Sequence, residues 1–234
     1  MIDKIDSLGN ELSEGQLEFF KDSKIVNNDN QLYHCYHGTG SSFRHFDQGI
    51  NWFTISKDYA QQFADFWDSQ KGGTIYEVYL NCKNPFDCRD TNGPVWMPFP
   101  IKPYRFSPNM KDIFNRLGLS DEEARKFIVE VVNERVSQGY NNDSWEKYEY
   151  MLKVHIVTRT DAFRKLVESK GYDSIITIEE GNLCFGVFKP NDVKLTFNLN
   201  PTNSANIDEN VSNNSAKLND KVKLNTLDAL RKLS

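Results

Sequence analysis

The chain has 234 residues, a formal net charge of -5, 38% hydrophobic residues and 13% aromatic residues. This length accommodates one domain with a sizeable core plus extensions, and the aromatic content argues against a disordered chain. The acidic balance argues against a generally basic nucleic-acid-binding surface, and no apolar run approaches membrane-spanning length, so we expect a cytoplasmic protein without a membrane partner.

The first 30 residues are predicted to form an N-terminal helical extension. Ser13 and Gln16 have the spacing of a capping box, and Leu17 and Phe20 follow as an apolar face. A turn at 27–30 then separates the extension from a main domain that we expect to span residues 31–200.

An apolar-aromatic run, Leu32 to Tyr36, predicts the first strand of this domain. The run ends at His37-Gly38-Thr39-Gly40, where two glycines allow a ligand to approach the backbone closely. Period-two geometry places His37 on the same face as Cys35 and opposite to His34. The alternative interpretation of His37 is a structural histidine at a strand end.

A second short apolar run, 49–54, precedes a predicted helix. Ser56 has the position of an N-cap, and the apolar residues after it recur at helical spacing. That stripe comprises Tyr59, Ala60, Phe63, Ala64 and Trp67. Such a stripe is equally typical of plain core packing.

The second half of the chain alternates between helices and strands. After a strand at 74–80 and an aperiodic stretch at 87–108, capping residues predict helices that begin near Ser120, Asp143 and Thr160, so a helical insertion occupies about 107–169. Strands at 172–178 and 183–188 flank a hairpin turn at 179–182, and a short strand follows at 193–199. Residues 201–234 are predicted to be a linker with a short helix at 220–233.

No metal site is predicted. The cysteines Cys35, Cys82, Cys88 and Cys184 lack paired ligand spacing and are interpreted as reduced thiols. His34 lies on the opposite strand face from Cys35 and His37, so these three side chains cannot converge on zinc.

These motifs, in this order, resemble the ADP-ribosyltransferases of the diphtheria-toxin and poly(ADP-ribose) polymerase type. The resemblance rests on His37-Gly38-Thr39, on Gly-Ile-x-aromatic-Phe-Thr at 49–54, and on Ser-Lys-x-x-Ala-x-x-aromatic at 56–63. The blocks 73–85 and 171–195 resemble the later strands, and the similarity is closest to small transferase domains of phage and bacterial toxins. It implies an α+β fold, a split β-sandwich of two mainly antiparallel sheets around an NAD cleft.

The resemblance also implies roles for several residues. His37 would hydrogen-bond the adenosine ribose of NAD, and the Gly38 backbone, beside Thr39, would bind the nicotinamide carboxamide. The aromatic rings of Trp52 and Phe63 would enclose the nicotinamide ring, although the family usually has tyrosine at both positions. Phe53 and Thr54 match the residues that follow the first aromatic, and a strand-end hydroxyl is the alternative interpretation of Thr54.

The catalytic acid of the family has no direct counterpart. Aligning the last strand pair places Cys184 where the family carries a glutamate, and a thiol stabilises an oxocarbenium-like transition state poorly. Two carboxylates, Glu179 and Glu180, lie in the preceding turn. Glu180 would enter the cleft if the hairpin folds back; otherwise both belong to a solvated acidic turn.

The sequence therefore predicts a metal-independent mono-ADP-ribosyltransferase that uses NAD to modify a protein or nucleic acid, as a phage or bacterial toxin-like effector in the host cytoplasm. Two alternatives remain at this point: an NAD glycohydrolase, and a catalytically degenerate module that binds NAD or ADP-ribose. The segment 201–234 is a possible docking segment for an antitoxin or a virion protein.

Overall fold

The structure is a computed structural model that describes residues 1–67, 73–89, 108–139 and 157–209. Within these ranges the strands are β1 (Cys35–Thr39), β2 (Asn51–Thr54), β3 (Thr74–Leu80), β4 (Pro85–Asp87), β5 (Ser174–Glu179), β6 (Asn182–Val187) and β7 (Val193–Leu195). The helices are α1 (Glu14–Phe20), α2 (Lys57–Trp67), α3 (Pro108–Arg116), α4 (Asp121–Ser137) and α5 (Asp161–Ser169), and a 3-10 turn covers Pro190–Asp192.

The seven strands form one hydrogen-bonded sheet in the order β4-β5-β6-β2-β1-β3-β7. Every pairing is antiparallel except that of β4 with β5. The predicted α+β class and the mainly antiparallel pairing are thus confirmed, with one difference: the two expected sheets are joined. β1 and β2 share a single register pair, Tyr36 opposite Thr54, so the two halves of the sheet meet at a narrow junction.

Beyond that junction, a side chain takes the place of the backbone hydrogen bonds between β1 and β2. The imidazole of His37 donates its Nδ1 hydrogen to the carbonyl oxygen of Trp52 at 2.8 Å. A strand carbonyl that is not paired with a neighbouring strand needs another donor, and the histidine supplies it. The strands can therefore diverge from this point without leaving the Trp52 carbonyl unsatisfied.

Local capping signals in the sequence are present as predicted. Ser13 and Gln16 form a reciprocal capping box at α1, and Ser120 does the same with Glu123 at α4. The Thr160 hydroxyl accepts from the Phe163 amide at the start of α5. Each cap satisfies amide hydrogens that have no partner within the helix, which fixes where the helix begins.

In the part of the chain that the structure describes, three apolar clusters hold the fold together. Helices α3, α4 and α5 pack on one end of the sheet through side chains such as Phe114, Ile128 and Phe163. A second cluster, around Phe53 and Phe185, covers another part of the sheet. The third attaches the N-terminal segment through Phe20, Leu32 and Tyr79. These clusters carry most of the favourable free energy of folding.

Some predictions fall on residues that are not described. The central part of the 87–108 stretch, the helix predicted near Asp143 and the C-terminal helix at 220–233 lie outside the described residues. Within the described ranges, no helix combines the length and apolarity needed to cross a membrane.

Candidate active site

A cavity of about 310 Å³ lies at the junction of β1 and β2, beneath helix α2. Its described lining consists of Tyr36, His37, Gly38, Ile50, Asn51, Trp52, Phe53, Thr54, Tyr59, Ala60, Phe63, Arg159, Glu179 and Cys184. The volume is at the lower end of the range for small-molecule sites, which are typically lined by apolar side chains with a few convergent polar groups.

Strand register explains why several of these side chains converge. Cys184 lies opposite Thr54 on one side and opposite Thr177 on the other. Residues directly opposite each other, and residues two apart along a strand, project from the same face of a sheet. Trp52 and Glu179 therefore share the face of Cys184, and both line the cavity.

Helix α2 covers this face. The Ser56 hydroxyl accepts from the Tyr59 amide, as predicted for an N-cap, so the helix begins directly after the strand that carries Trp52. Tyr59 and Phe63 are one helical turn apart, and their rings pack edge-to-face with centroids 5.1 Å apart. Both side chains line the cavity from the helix side.

Gly38 sets the distance between β1 and α2. A Cβ atom at this position would lie 1.8 Å from the carbonyl oxygen of Ala60, far inside van der Waals contact. Only glycine allows the two backbones to approach this closely. The sequence predicted that a ligand would approach the backbone here; the structure places Gly38 inside β1, and the group that approaches it is the backbone of α2.

His37 is held in a defined tautomer. Its ring is surrounded by the aromatic rings of Phe43, Phe46, Phe53 and Tyr76, with centroid distances of 5.0 to 6.4 Å. Burial lowers the pKa of the imidazole, and the hydrogen bond to the Trp52 carbonyl opposes this only in part. The ring is therefore neutral at neutral pH, with Nδ1 as donor and Nε2 as an acceptor.

Cys184 occupies the position where the resemblance implies an acid. Burial, with the neighbouring charge of Glu179, raises the pKa of this thiol to about 12. A thiol with such a pKa carries no charge at neutral pH, so Cys184 contributes neither a thiolate nor a carboxylate to the cavity.

The carboxylate in the cavity is that of Glu179, the last residue of β5. Its side chain is largely buried and forms an ion pair with Arg159, whose guanidinium also lies 5.7 Å from the centre of the Trp52 ring. Arg159 comes from the segment just before α5, so the helical insertion contributes directly to the site.

Glu180 does not reach the cavity, contrary to the expected folding back of the hairpin. It is exposed and has a φ of 50°, next to Gly181 at 81°, as the two central residues of a tight hairpin turn. The turn directs its side chain into solvent, and the strand residue Glu179 takes the inward position instead.

Most of the predicted site residues come together. His37, Gly38, Trp52, Phe53, Thr54, Phe63 and Cys184 all line the cavity, whereas Thr39 does not. The sequence interpretation missed Tyr36, Asn51 and Arg159, and it assigned Tyr59 only to a helix stripe. For Tyr59 the spacing of four residues from Phe63 was an available signal; for Arg159 the sequence offers none.

His34, one of the three side chains considered for zinc, is occupied by other partners. Both ring nitrogens of His34 contact carboxylates, Nδ1 with Asp6 and Nε2 with Glu77. Within the described ranges, no cluster of histidine, cysteine, aspartate or glutamate has the arrangement of a metal site.

The fold and cleft together define the class of the protein. The sheet narrows beside His37 and Gly38, and the cavity lies between Trp52 on the sheet and Phe63 on the covering helix, as the family resemblance implies. The family model described as ADP-ribosyltransferase in polyvalent proteins matches residues 27–203, and the chain belongs to this family. ADP-ribosyltransferases use NAD as their substrate. Searches of curated proteins and of solved structures gave no match.

Proposed function

We propose that this protein transfers a single ADP-ribose from NAD to a protein or nucleic acid, as a toxin-like effector of a phage or bacterium in the host cytoplasm. The observation that carries the proposal is one cavity that joins His37 and Gly38, the rings of Trp52 and Phe63, and the carboxylate of Glu179. The His37 imidazole can accept a hydrogen bond from a sugar hydroxyl, and the two aromatic rings offer flat surfaces to a planar ring. The carboxylate supplies a negative charge next to the positive charge that develops on the ribose.

The two aromatic side chains are suited to the nicotinamide ring. Trp52 lines the cavity from the sheet and Phe63 lines it from α2, so a planar guest can contact both. The nicotinamide of NAD carries a positive charge, and aromatic faces attract cations as well as stacking on flat rings. The absence of tyrosine at both positions leaves these interactions intact.

The neutral His37 is suited to a ribose. Because Nδ1 is committed to the Trp52 carbonyl, Nε2 has a lone pair available for a ribose hydroxyl hydrogen. Its position beside the Gly38 backbone agrees with the roles that the family resemblance implies for this pair.

NAD affinity is expected to fall on acidification. The pKa of His37 is held below its ordinary value of about 6.5, so the neutral acceptor form predominates at pH 7 and is lost only as the pH falls below 6.5. Protonation converts Nε2 into a donor, and the ribose loses its acceptor. Calorimetric titration with NAD between pH 5 and pH 8 measures this. The exposed His45→Gln variant is the matched control and should keep the wild-type profile; a His37→Gln variant with that same profile contradicts the assignment.

Transfer is tested by incubating the protein with a host-cell lysate and NAD labelled in the adenylate part. We expect the label to enter a macromolecular fraction, which nuclease and protease treatment then identify as nucleic acid or protein. His37→Ala should reduce labelling by about 10-fold or more, because a hydrogen bond worth roughly 1.5 kcal/mol corresponds to about a factor of 10.

Two other outcomes would identify different activities. Nicotinamide release without labelled macromolecule would indicate an NAD glycohydrolase, in which water is the acceptor. Binding of NAD without any turnover would indicate a degenerate binding module, an outcome that the uncharged Cys184 favours.

A further inference from the structure

We propose that Glu179 is the catalytic carboxylate of this protein, supplied by β5 instead of the β6 position that Cys184 occupies, and that Arg159 is its positioning residue. This inference rests on the proposed function. It replaces Glu180 and Cys184 as candidates and gives the helical insertion a defined part in the site.

The environment of Glu179 is that of a functional group. The residue is only 8% exposed, and carboxylates are rarely buried unless they are paired. One carboxylate oxygen, Oε2, is paired with Nη2 of Arg159. The other, Oε1, forms no hydrogen bond or ion pair with any described residue. A carboxylate with one oxygen held by an arginine and the other unpaired among the described residues is suited to contact a substrate hydroxyl.

Arg159 links this carboxylate to the ring-binding part of the cavity. Its guanidinium lies over the Trp52 ring at 5.7 Å while it pairs with Glu179. A guanidinium is planar and permanently charged, so it fixes the orientation of the carboxylate with which it pairs. The carboxylate is thereby held next to the site proposed for nicotinamide.

Other ionisable groups around Glu179 do not compete for this role. Burial raises the pKa of the Tyr59 hydroxyl, and the charge of Glu179 raises it further, so this side chain of α2 stays protonated. The Cys184 thiol of β6 stays protonated for the same reasons. Glu180 is exposed in the turn. Glu179 is the single carboxylate among the described residues that line the cavity.

The transfer step balances with this carboxylate as general base. The bond between C1′ of the ribose and the nicotinamide nitrogen breaks, and its electron pair neutralises the positively charged ring. Positive charge develops on the ribose, and the Glu179 carboxylate stabilises it. The acceptor's lone pair forms the new bond to C1′, and the acceptor's proton passes to Glu179, which later releases it to solvent.

The first test compares Glu179→Gln with Glu180→Gln in a nicotinamide-release assay. The two glutamates are adjacent, and only the first lies in the cavity, so they form a matched pair. We expect Glu179→Gln to lower kcat by about 100-fold or more with KM for NAD changed less than threefold, because removal of a general base costs about 10²–10⁴-fold. Glu180→Gln should stay within twofold of wild type.

A second pair of variants tests the role of Arg159. In Arg159→Gln the cation that orients the carboxylate is absent, so kcat should fall by about 10-fold while KM for NAD changes less than threefold. Arg159→Lys should restore most of the lost kcat, because it restores a cation beside Oε2 of Glu179. A purely structural role would change kcat and KM together, and Arg159→Lys would not restore kcat alone.

Chemical rescue distinguishes loss of the carboxylate from loss of folding. Glu179→Ala with a native-like circular dichroism spectrum should regain activity when formate is added, since formate replaces the missing carboxylate. Unchanged kcat in Glu179→Gln overturns the inference while leaving the proposed function intact. A wild-type protein that binds NAD but never releases nicotinamide overturns both.

Discussion

Replacing Gly38 by alanine is expected to lower the free energy of unfolding by about 3 kcal/mol and to abolish NAD binding. The added Cβ would lie 1.8 Å from the Ala60 carbonyl oxygen and 2.7 Å from its carbonyl carbon. Both atoms belong to the backbone of α2, so no side-chain rotation relieves the clash, and the helix must move. Overpacking of this kind costs about 1–3 kcal/mol, and a backbone obstacle places it at the upper end.

The loss of binding follows from what α2 carries. Displacing the helix from β1 moves Tyr59 and Phe63 away from Trp52, so the cavity no longer presents two opposed aromatic surfaces. Thermal unfolding should show a midpoint lower by about 6–12 °C, since 1 kcal/mol corresponds to about 2–4 °C in a chain of this size. Calorimetric titration with NAD then measures the loss of NAD binding separately from the loss of stability.

The exposed Gln62 provides a control on the same helix. Gln62→Ala adds an alanine to α2 without approaching β1, and its stability and NAD affinity should match those of wild type. If Gly38→Ala retains full stability, then β1 and α2 are less closely packed than the structure indicates. If it is destabilised but binds NAD normally, the helix does not form a wall of the site.

The features that the sequence predicts well are those decided within a few residues. Ser13, Ser120 and Thr160 cap helices because a hydroxyl three positions before a free amide is already in reach. The first strand was predicted at 32–36 with its end at His37-Gly38, which is wrong: β1 spans Cys35–Thr39, and His37 and Gly38 are paired with β3 inside it. The local motifs still placed most of the cavity lining.

The sequence interpretation considered Glu180 for the cavity, but the structure places Glu179 there. A difference of one residue in the hairpin register therefore decides which carboxylate enters the site. A tight hairpin needs two central residues at positive φ, and here those are Glu180 and Gly181. Glu179 is then the last strand residue, opposite Asn182, and period-two geometry gives it the face of Cys184. The Glu-Gly dipeptide was a sequence signal for the centre of the turn. Only the pairing of β5 with β6, however, shows that the face shared by Glu179 and Cys184 is the face that lines the cavity.

Arg159 could not be predicted from the sequence. Its approach to Glu179 and Trp52 depends on how the helical insertion packs against the sheet, through contacts such as those of Phe163 and Ile175. No local periodicity records such a long-range contact. The same applies to the pairing of Asp6 with His34, which lie 28 residues apart in the chain.

Replacing Asp6 by alanine is expected to lower the free energy of unfolding by about 3–5 kcal/mol, the largest stability effect that we predict. Asp6 is fully buried in the N-terminal extension, and its carboxylate accepts five hydrogen bonds. The donors are the amides of Leu8 and Asn10, the Asn10 side chain, the His34 imidazole and the Tyr79 hydroxyl. Without the carboxylate, buried donors on β3 and before β1 lose their acceptor.

The pH dependence of stability gives an independent measure of the same group. Burial alone would raise the pKa of Asp6, but the hydrogen bonds from Asn10, His34 and Tyr79 outweigh it and lower the pKa from 3.8 to about 2. The folded state therefore binds fewer protons between these values. The stabilisation, roughly 2 kcal/mol, is fully present above pH 4 and is lost as the pH falls towards 2.

The exposed Asp3 is the matched control, because among the described residues its side chain accepts only from the adjacent Lys4 amide, and it should tolerate alanine with a change below 0.5 kcal/mol. Denaturant unfolding at pH 7 and at pH 3 separates the two variants: wild type and Asp3→Ala should weaken together on acidification, and Asp6→Ala should weaken less. Equal losses in all three proteins would mean that Asp6 is not the titrating group.

The His34 imidazole also contacts Glu77, which pairs with Lys57 at the start of α2. Detachment of the extension in Asp6→Ala should therefore reach the helix that covers the cavity, and NAD affinity should fall with stability.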